Sequence, residues 1–243
     1  MKAKKLFFTA LGLGALSFML PGCIDDDDSA DLRYPTALVT VCPDDDGSFV
    51  MQLDDNTRLV PVNLKKSPFG TKEVRALVNY TDNEAQESTL RNVHVHWIDS
   101  IRTKLPVTSM GEQDEEKFGN DPIEVVHDWV TIAEDGYLTL RVRTVWGYSN
   151  VAHNINLVIG TNPADPYELV LRHDANGDVY GQWADALIAF NLNNLPRENG
   201  DKKKIVLKWR SFNGEKSAEF DIKMRPANKE IYTDNLVSAR DIE

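Results

Sequence analysis

Lys203-Lys204-Ile205-Val206-Leu207-Lys208-Trp209-Arg210-Ser211-Phe212-Asn213-Gly214-Glu215-Lys216-Ser217-Ala218-Glu219-Phe220-Asp221-Ile222-Lys223-Met224 decides the fold class. In its first half Ile205, Leu207 and Trp209 fall on one face, with Lys204, Lys208 and Arg210 on the other. Its second half sets Ala218, Phe220, Ile222 and Met224 against Glu219, Asp221 and Lys223. Successive strand side chains point to opposite faces, so a period of two means a strand with one face buried. Asn213-Gly214 between the halves is a hairpin signal, because both residues tolerate the positive φ of tight turns.

The same period and an enrichment in β-branched residues run from Tyr34 to Pro226, and no window of a dozen residues carries a helical stripe. The expected class is therefore all-β. Strands are expected near 34–42, 48–54, 57–64, 73–81 and 92–104, the second and third joined through Asp54-Asp55-Asn56, and five strands make one small barrel. Met110 to Pro122 holds Gly111, Gly119, Asn120, Asp121 and Pro122 among further charges and reads as a connection between domains. Beyond it strands are expected near 123–132, 136–146, 151–160, 166–173, 179–192, 203–212 and 215–224, a spacing that points to an Ig-like β-sandwich of about seven strands. The expected domains are 34–109 and 123–226, with 110–122 as linker and 227–243 as a tail without periodicity.

The N-terminus gives an address. Three lysines within Met1 to Lys5 precede an apolar stretch, Leu6 to Leu20, which is the layout of a secretory signal and too short to span a bilayer. Leu20-Pro21-Gly22-Cys23 resembles the lipobox of bacterial lipoproteins, although Pro21 departs from the usual residue there. The resemblance implies cleavage between Gly22 and Cys23, removal of 1–22, and lipid on the Cys23 thiol and new amino terminus. Membrane contact through covalent lipid follows, since each buried methylene is worth about 0.8 kcal/mol and several chains hold firmly. Residues 23–33 then form an acidic tether, and its run Asp25 to Asp28 resembles the signal that sends Bacteroidetes lipoproteins to the cell surface, with Ile24 departing from one form of it. Asp28-Ser29-Ala30 and Asp99-Ser100-Ile101 resemble the O-glycosylation pattern of exported proteins of that group, and Ser29, on the tether, is the accessible one.

Loss of the leader's three lysines leaves 24 basic against 38 acidic residues, a formal charge of −14 instead of −11. Such a surface repels nucleic acid. With Cys23 acylated, Cys42 has no disulfide partner, and stability has to come from apolar cores.

At the level of motifs, Tyr34 to Val41, Gln52 to Asp55, Val74 to Tyr80, Val93 to Ile101, Gly136 to Arg141 and His153 to Leu157 resemble the NigD-like lipoproteins of Bacteroidetes. The resemblance spans essentially the whole mature chain and implies an N-terminal OB-like barrel followed by a C-terminal β-sandwich. The family's name implies a bacteriocin locus and an immunity role, so a protein or peptide partner. It implies no reaction, no cofactor and no catalytic residues.

OB barrels bind oligonucleotides or oligosaccharides beside loops that here carry Asp44, Asp45, Asp46, Asp82, Glu84 and Glu87, and these acids oppose a polyanion near Arg58, Lys65 and Lys66. His94 and His96 share a strand face but lack a third metal ligand in sequence. Asp174, Asn176, Asp178 and Asp185 match positions one, three, five and twelve of a calcium loop, yet Val179 replaces the needed glycine, so a hairpin turn is the expectation and no metal is assigned. No G-x-S-x-G, H-E-x-x-H, Walker or G-x-G-x-x-G pattern occurs, and a binding or accessory role is expected, not an enzyme. Core packing is expected to account for most of Trp129, Trp146, Trp183 and Trp209; an exposed set beside Tyr148 would suit a glycan ligand instead.

Overall fold

The computed structural model describes residues 36–82, 89–148, 150–197 and 202–225. The leader, Gly22, Cys23, the tether with Ser29, Glu84, Glu87 and the tail 227–243 lie outside the described residues.

Five strands close into a barrel: β1 (Thr36–Pro43), β2 (Phe49–Gln52), β3 (Arg58–Pro61), β4 (Val74–Asp82) and β5 (Leu90–Ser100). Their order is β1-β2-β3-β5-β4, with β3 and β5 parallel and β1 and β4 antiparallel at the closure. Alternation sends Val39, Val41, Met51, Leu59, Ala76, Val78 and Val93 inward, all fully buried. Asp54 tightens the β2–β3 turn by accepting from the backbone N–H groups of Asn56 and Thr57 at 2.8 and 2.9 Å.

The chain leaves the barrel at Ile101, earlier than the expected linker. Arg102–Lys104 (β6) pairs parallel with a sandwich strand, and Val107–Thr108 (β7) joins the opposite sheet. The segment 110–122 is likewise built onto the sandwich: a 3-10 turn (Gly111–Gln113) leads into the short helix α1 (Asp114–Phe118), and Arg172 reaches Glu115 at 3.3 Å and Asn120 at 2.8 Å.

Six of the seven expected sandwich strands are present as single strands. The stretch expected at 123–132 is divided into β8 (Glu124–Val126) and β9 (Ile132–Glu134), followed by β10 (Tyr137–Trp146), β11 (Asn154–Ile159), β12 (Glu168–Asp174), β13 (Gln182–Asn191), β14 (Lys202–Ser211) and β15 (Gly214–Lys223). One sheet runs β6-β13-β10-β8 with β9 also on β10, and the other β15-β14-β12-β11-β7. Between them lies an aliphatic core that includes Leu138, Leu140, Leu157, Leu169, Phe190, Ile205 and Leu207. The β14–β15 turn sits one residue earlier than expected: Ser211 pairs with Gly214, and Gly214 alone takes a positive φ, +103°. Both strands keep their faces, because the shift changes each residue's partner by two.

A second tight turn escaped the sequence reading. Asp135 (φ +51°) and Gly136 (φ +73°) connect β9 to β10, and a Cβ at Gly136 would collide with Asn193. The Asp-Gly pair is the sequence signal for this geometry.

That turn docks against the barrel. On the outer wall of β1 and β4, Thr40 lies opposite Arg75, and both are fully buried. The Arg75 guanidinium donates to Thr40 Oγ1 at 2.9 Å, to Thr139 Oγ1 at 3.4 Å and to Glu134. Thr40 Oγ1 in turn donates to Asp135 at 2.6 Å. Arg225 makes a two-pronged contact with Asp135, both bonds 2.7 Å, and reaches Glu73 at 2.7 Å, while the Tyr137 hydroxyl donates to Glu73. Burial, followed by the Glu73 charge, pushes the Tyr137 phenol well above its ordinary range. Leu38, Ile101 and Ala189 form a small apolar seam at the same junction.

Removing one member of a buried ion pair strands the other, at a cost of about 3–5 kcal/mol. Arg75→Ala is therefore expected to lower stability by about 3 kcal/mol, and Arg75→Met, which keeps the packed stem, by less. Urea unfolding followed by tryptophan fluorescence measures both; equal midpoints for wild type and Arg75→Ala would count against the clamp.

Candidate binding face

β10 and β13 pair along their whole length, from Tyr137 opposite Asn191 to Trp146 opposite Gln182. Leu138, Leu140, Val142, Ala186, Ile188 and Phe190 therefore face the sandwich core, and the odd-numbered residues face outward. At one end the barrel covers this outer face over Tyr137, Thr139, Leu187 and Ala189. The barrel does not reach the other end. There Trp183 is 56% exposed, and Phe212, at the tip of the β14–β15 hairpin, packs edge-on against it at 4.7 Å between ring centroids. Trp129 (57%), Tyr148 (66%) and Tyr180 (83%) are exposed as well. Of the four sandwich tryptophans only Trp209 is buried, and Trp146 is half-buried, so core packing does not account for most of them. Trp183 escapes burial because its outward position lies beyond the reach of the barrel.

A charge cluster lies on the same open surface. Asp185, directly opposite Arg143, accepts from Arg143 Nε at 2.5 Å and Nη2 at 2.9 Å and from Arg141 Nε at 2.7 Å. Arg141 also holds Asp128, the neighbour of Trp129. Hydrogen bonds from Arg143 and Arg141, working against partial desolvation, hold the Asp185 carboxyl down at about 2.

Beneath the end of this face, two histidines meet that are twenty residues apart in sequence. Asp178 accepts from the backbone N–H groups of Gly147 at 2.9 Å and Tyr148 at 3.0 Å, and lies 3.3 Å from His153 Nε2. His153 Nδ1 is 2.9 Å from His173 Nε2, and His173 Nδ1 is 3.2 Å from the Pro122 carbonyl. The Trp146 ring stacks on His153 at 3.8 Å between centroids and closes the cluster on that side. Burial lowers the His173 pKa, and the Tyr148 and Gly147 amides lower that of Asp178 despite desolvation. Glycines make the close approach of the two chain segments possible: a Cβ at Gly147 would stand 2.0 Å from the Tyr180 carbonyl, and one at Gly181 2.1 Å from that of Trp146. This clasp fixes the backbone beside Tyr148 and Tyr180. Only the register that sets Ile155 opposite His173 brings the two histidines together, and no spacing in the sequence announces it.

The calcium-loop candidates are dispersed. Asp174 accepts from the Asn176 amide, Asn176 and Gly177 form a positive-φ turn, Asp178 serves the clasp and Asp185 the arginines. The turn is not a hairpin, because β12 and β13 belong to different sheets and the chain crosses between them. His94 and His96 stand 5.4 Å apart, bonded to Asn63 and Thr81, and no group of three metal-binding side chains occurs among the described residues. Ser100 is exposed at the end of β5. Burial pushes the Cys42 thiol up to about 12, which disfavours the thiolate.

Two family profiles match the chain: residues 38–101 match the NigD-like N-terminal OB domain and residues 106–222 the NigD-like C-terminal beta sandwich domain. The chain belongs to the NigD-like family. Among solved structures it is similar to a Parabacteroides distasonis protein provisionally described as toxin-related, with 26% identity and a TM-score of 0.67 over 86% of this chain and 99% of that one. A NigD-like immunity protein from Bacteroides caccae matches at 19% identity and a TM-score of 0.56, covering 78% of this chain and 97% of its own. A Bacteroides fragilis protein provisionally described as a lipoprotein matches at 14% and 0.55, covering 80% and 99%. At those two identities the likeness is one of fold. No curated protein matches. The profile boundaries put the NigD-like OB domain's end at Ile101, where the chain leaves the barrel.

Both lowered carboxyls give acid sensitivity of defined sign. A depressed folded-state pKa contributes stability above the unfolded value, near 3.8, which is lost as pH falls toward the folded one, about 2 for Asp185. Acid titration followed by fluorescence should show a loss of stability within that window, and Asp178→Asn should lower the neutral-pH unfolding midpoint while flattening the acid limb. An unchanged acid limb in Asp178→Asn would remove Asp178 from the account.

Proposed function

We propose that the protein is a non-enzymatic lipoprotein of the outer membrane, held by lipid on Cys23 and exposed at the cell surface, and that it works by binding. The open aromatic half of the β10–β13 face carries the binding reading, since grouped exposed apolar side chains mark interaction surfaces. Support for the anchor comes from the lysine-headed apolar leader ending at Gly22-Cys23, and for surface exposure from Asp25 to Asp28. The immunity description of the Bacteroides caccae relative supports a protein or toxin-like peptide as partner.

A second reading, a glycan-binding or glycan-processing accessory, is favoured by one observation: Trp183 stands exposed on a sheet face whose next outward pair is the hydrogen-bonding Asp185 and Arg143. Deleting the gene separates the two. Bacteriocin sensitivity changed by the deletion, together with a protein that co-purifies with the wild-type chain, supports the first reading; the absence of both removes its support.

For the anchor, Cys23→Ser is expected to leave the β body folded and to move the protein from the detergent phase to the aqueous phase in Triton X-114 partitioning. A variant that still partitions with detergent would sink lipid attachment at Cys23.

A further inference from the structure

The strip of outer face from Trp183 to Trp129 combines two features that a single class of ligand would use together. Trp183 is not a loose side chain: Phe212 props its ring edge-on at 64°, so an exposed flat surface is held in one orientation. Two residues along the same face, roughly 7 Å away on a strand, Asp185 and Arg143 face each other across the ladder. Arg143 uses its Nε and Nη2 on Asp185, and a guanidinium has five N–H donors, so further donors are left for a ligand. Arg141 and Asp128 extend the strip to Trp129.

The cluster of Arg141, Arg143, Asp128 and Asp185 carries no net charge, within a chain whose formal charge is −11. An acidic ligand is repelled by the whole protein and gains nothing locally. A basic peptide would have to set its cations beside Arg141 and Arg143. A protein partner would want its aromatic anchors in one dry patch, whereas here a charged pair lies next along the face from Trp183. An uncharged sugar fits both features: the apolar C–H face of a pyranose stacks on a braced indole while its rim hydroxyls donate to carboxylate and accept from guanidinium.

We propose that the open outer face of β10 and β13 is a carbohydrate site, in which Trp183, braced by Phe212, stacks a neutral pyranose and the Arg143–Asp185 pair hydrogen-bonds its hydroxyls. The proposal rests on the glycan reading above and adds to it the place and the charge class of the ligand.

The full-length lipidated protein in detergent should be tested on a glycan array holding neutral and acidic polysaccharide fragments. Hits should then be titrated by calorimetry using cellohexaose, laminarihexaose, xylohexaose, mannohexaose and a galacturonic acid hexamer as probes. At least one neutral glycan is expected to bind, with Trp183→Ala weakening it tenfold or more, Arg143→Ala weakening it severalfold and Trp183→Phe retaining most of the affinity. Unchanged thermal midpoints in these surface variants exclude misfolding as the cause. A blank array overturns both the site and the glycan reading. Neutral-glycan binding untouched by Trp183→Ala overturns the site and leaves the glycan reading standing. Binding confined to the galacturonic acid hexamer overturns the charge class. Capture of a protein or peptide that depends on Trp183, with no glycan bound, overturns the proposal in favour of the protein reading.

Discussion

Arg75 is an arginine with no exposed surface, set on the outside of a barrel. Taking a guanidinium out of water is tolerated only if its donors are met and its charge is answered, and here the answers come from two domains. Thr40 belongs to the barrel, whereas Glu134 and Thr139 belong to the sandwich. The barrel thus cannot slide along the sheet without stranding a buried cation. Arg225, clamped by Asp135 and Glu73, repeats the logic a short distance away: burial works against its charge, but the Asp135 hydrogen bonds and the surrounding carboxylates hold the proton firmly. Directional polar contacts set the register between the domains, and the small apolar seam of Leu38, Ile101 and Ala189 fills it.

Because the barrel is fixed at one end of the β10–β13 ladder, the other end stays open. The same outward row of residues changes character along its length. Tyr137, Thr139, Leu187 and Ala189 form an interface, Arg141 and Asp185 a rim of ion pairs, and Trp183 a bare ring. The ion pairs do more than separate the two regions. Asp185, held near 2 by two arginines, keeps its charge throughout the physiological range, and the arginine planes are oriented by the bonds they make. The clasp under Tyr148 and Tyr180 adds order from below, since Asp178 ties down the backbone at Gly147 and Tyr148 through two amides. A face built in this way is organised before any ligand arrives, which lowers the ordering cost of binding.

Much of this was legible in the sequence, for a physical reason. Inward positions of the barrel and sandwich are apolar at every second residue, so alternation finds strands such as Val74 to Asp82 and Lys202 to Ser211 directly. The same rule hides the junction. Arg75 occupies an outward position, where a charged residue reads as solvent-facing, and only the docking of a second domain buries it. Alternation assigns Trp183 a side of the sheet but cannot say where the barrel's cover ends. Asp135-Gly136 was readable as a hairpin turn and joins β9 to β10. His153 and His173 were not readable as a pair, because pairing register is a property of two strands together.

Among the described residues Cys42 has no cysteine to pair with, which bears on what holds the two domains together. Its thiol lies near Arg225, Glu73 and Asp135, and burial raises its pKa. The work of a crosslink falls to the domain junction instead, where β1 and β4 from the first half of the chain are tied to β9, β10 and the end of β15 from the second. Arg225 follows the last strand, and its bonds to Glu73 and Asp135 close a loop through the structure that spans most of the described chain. Unlike a disulfide, that closure depends on both domains being folded at once. The barrel and the sandwich therefore support each other's stability, and the open aromatic face is carried by a sheet whose other end is anchored.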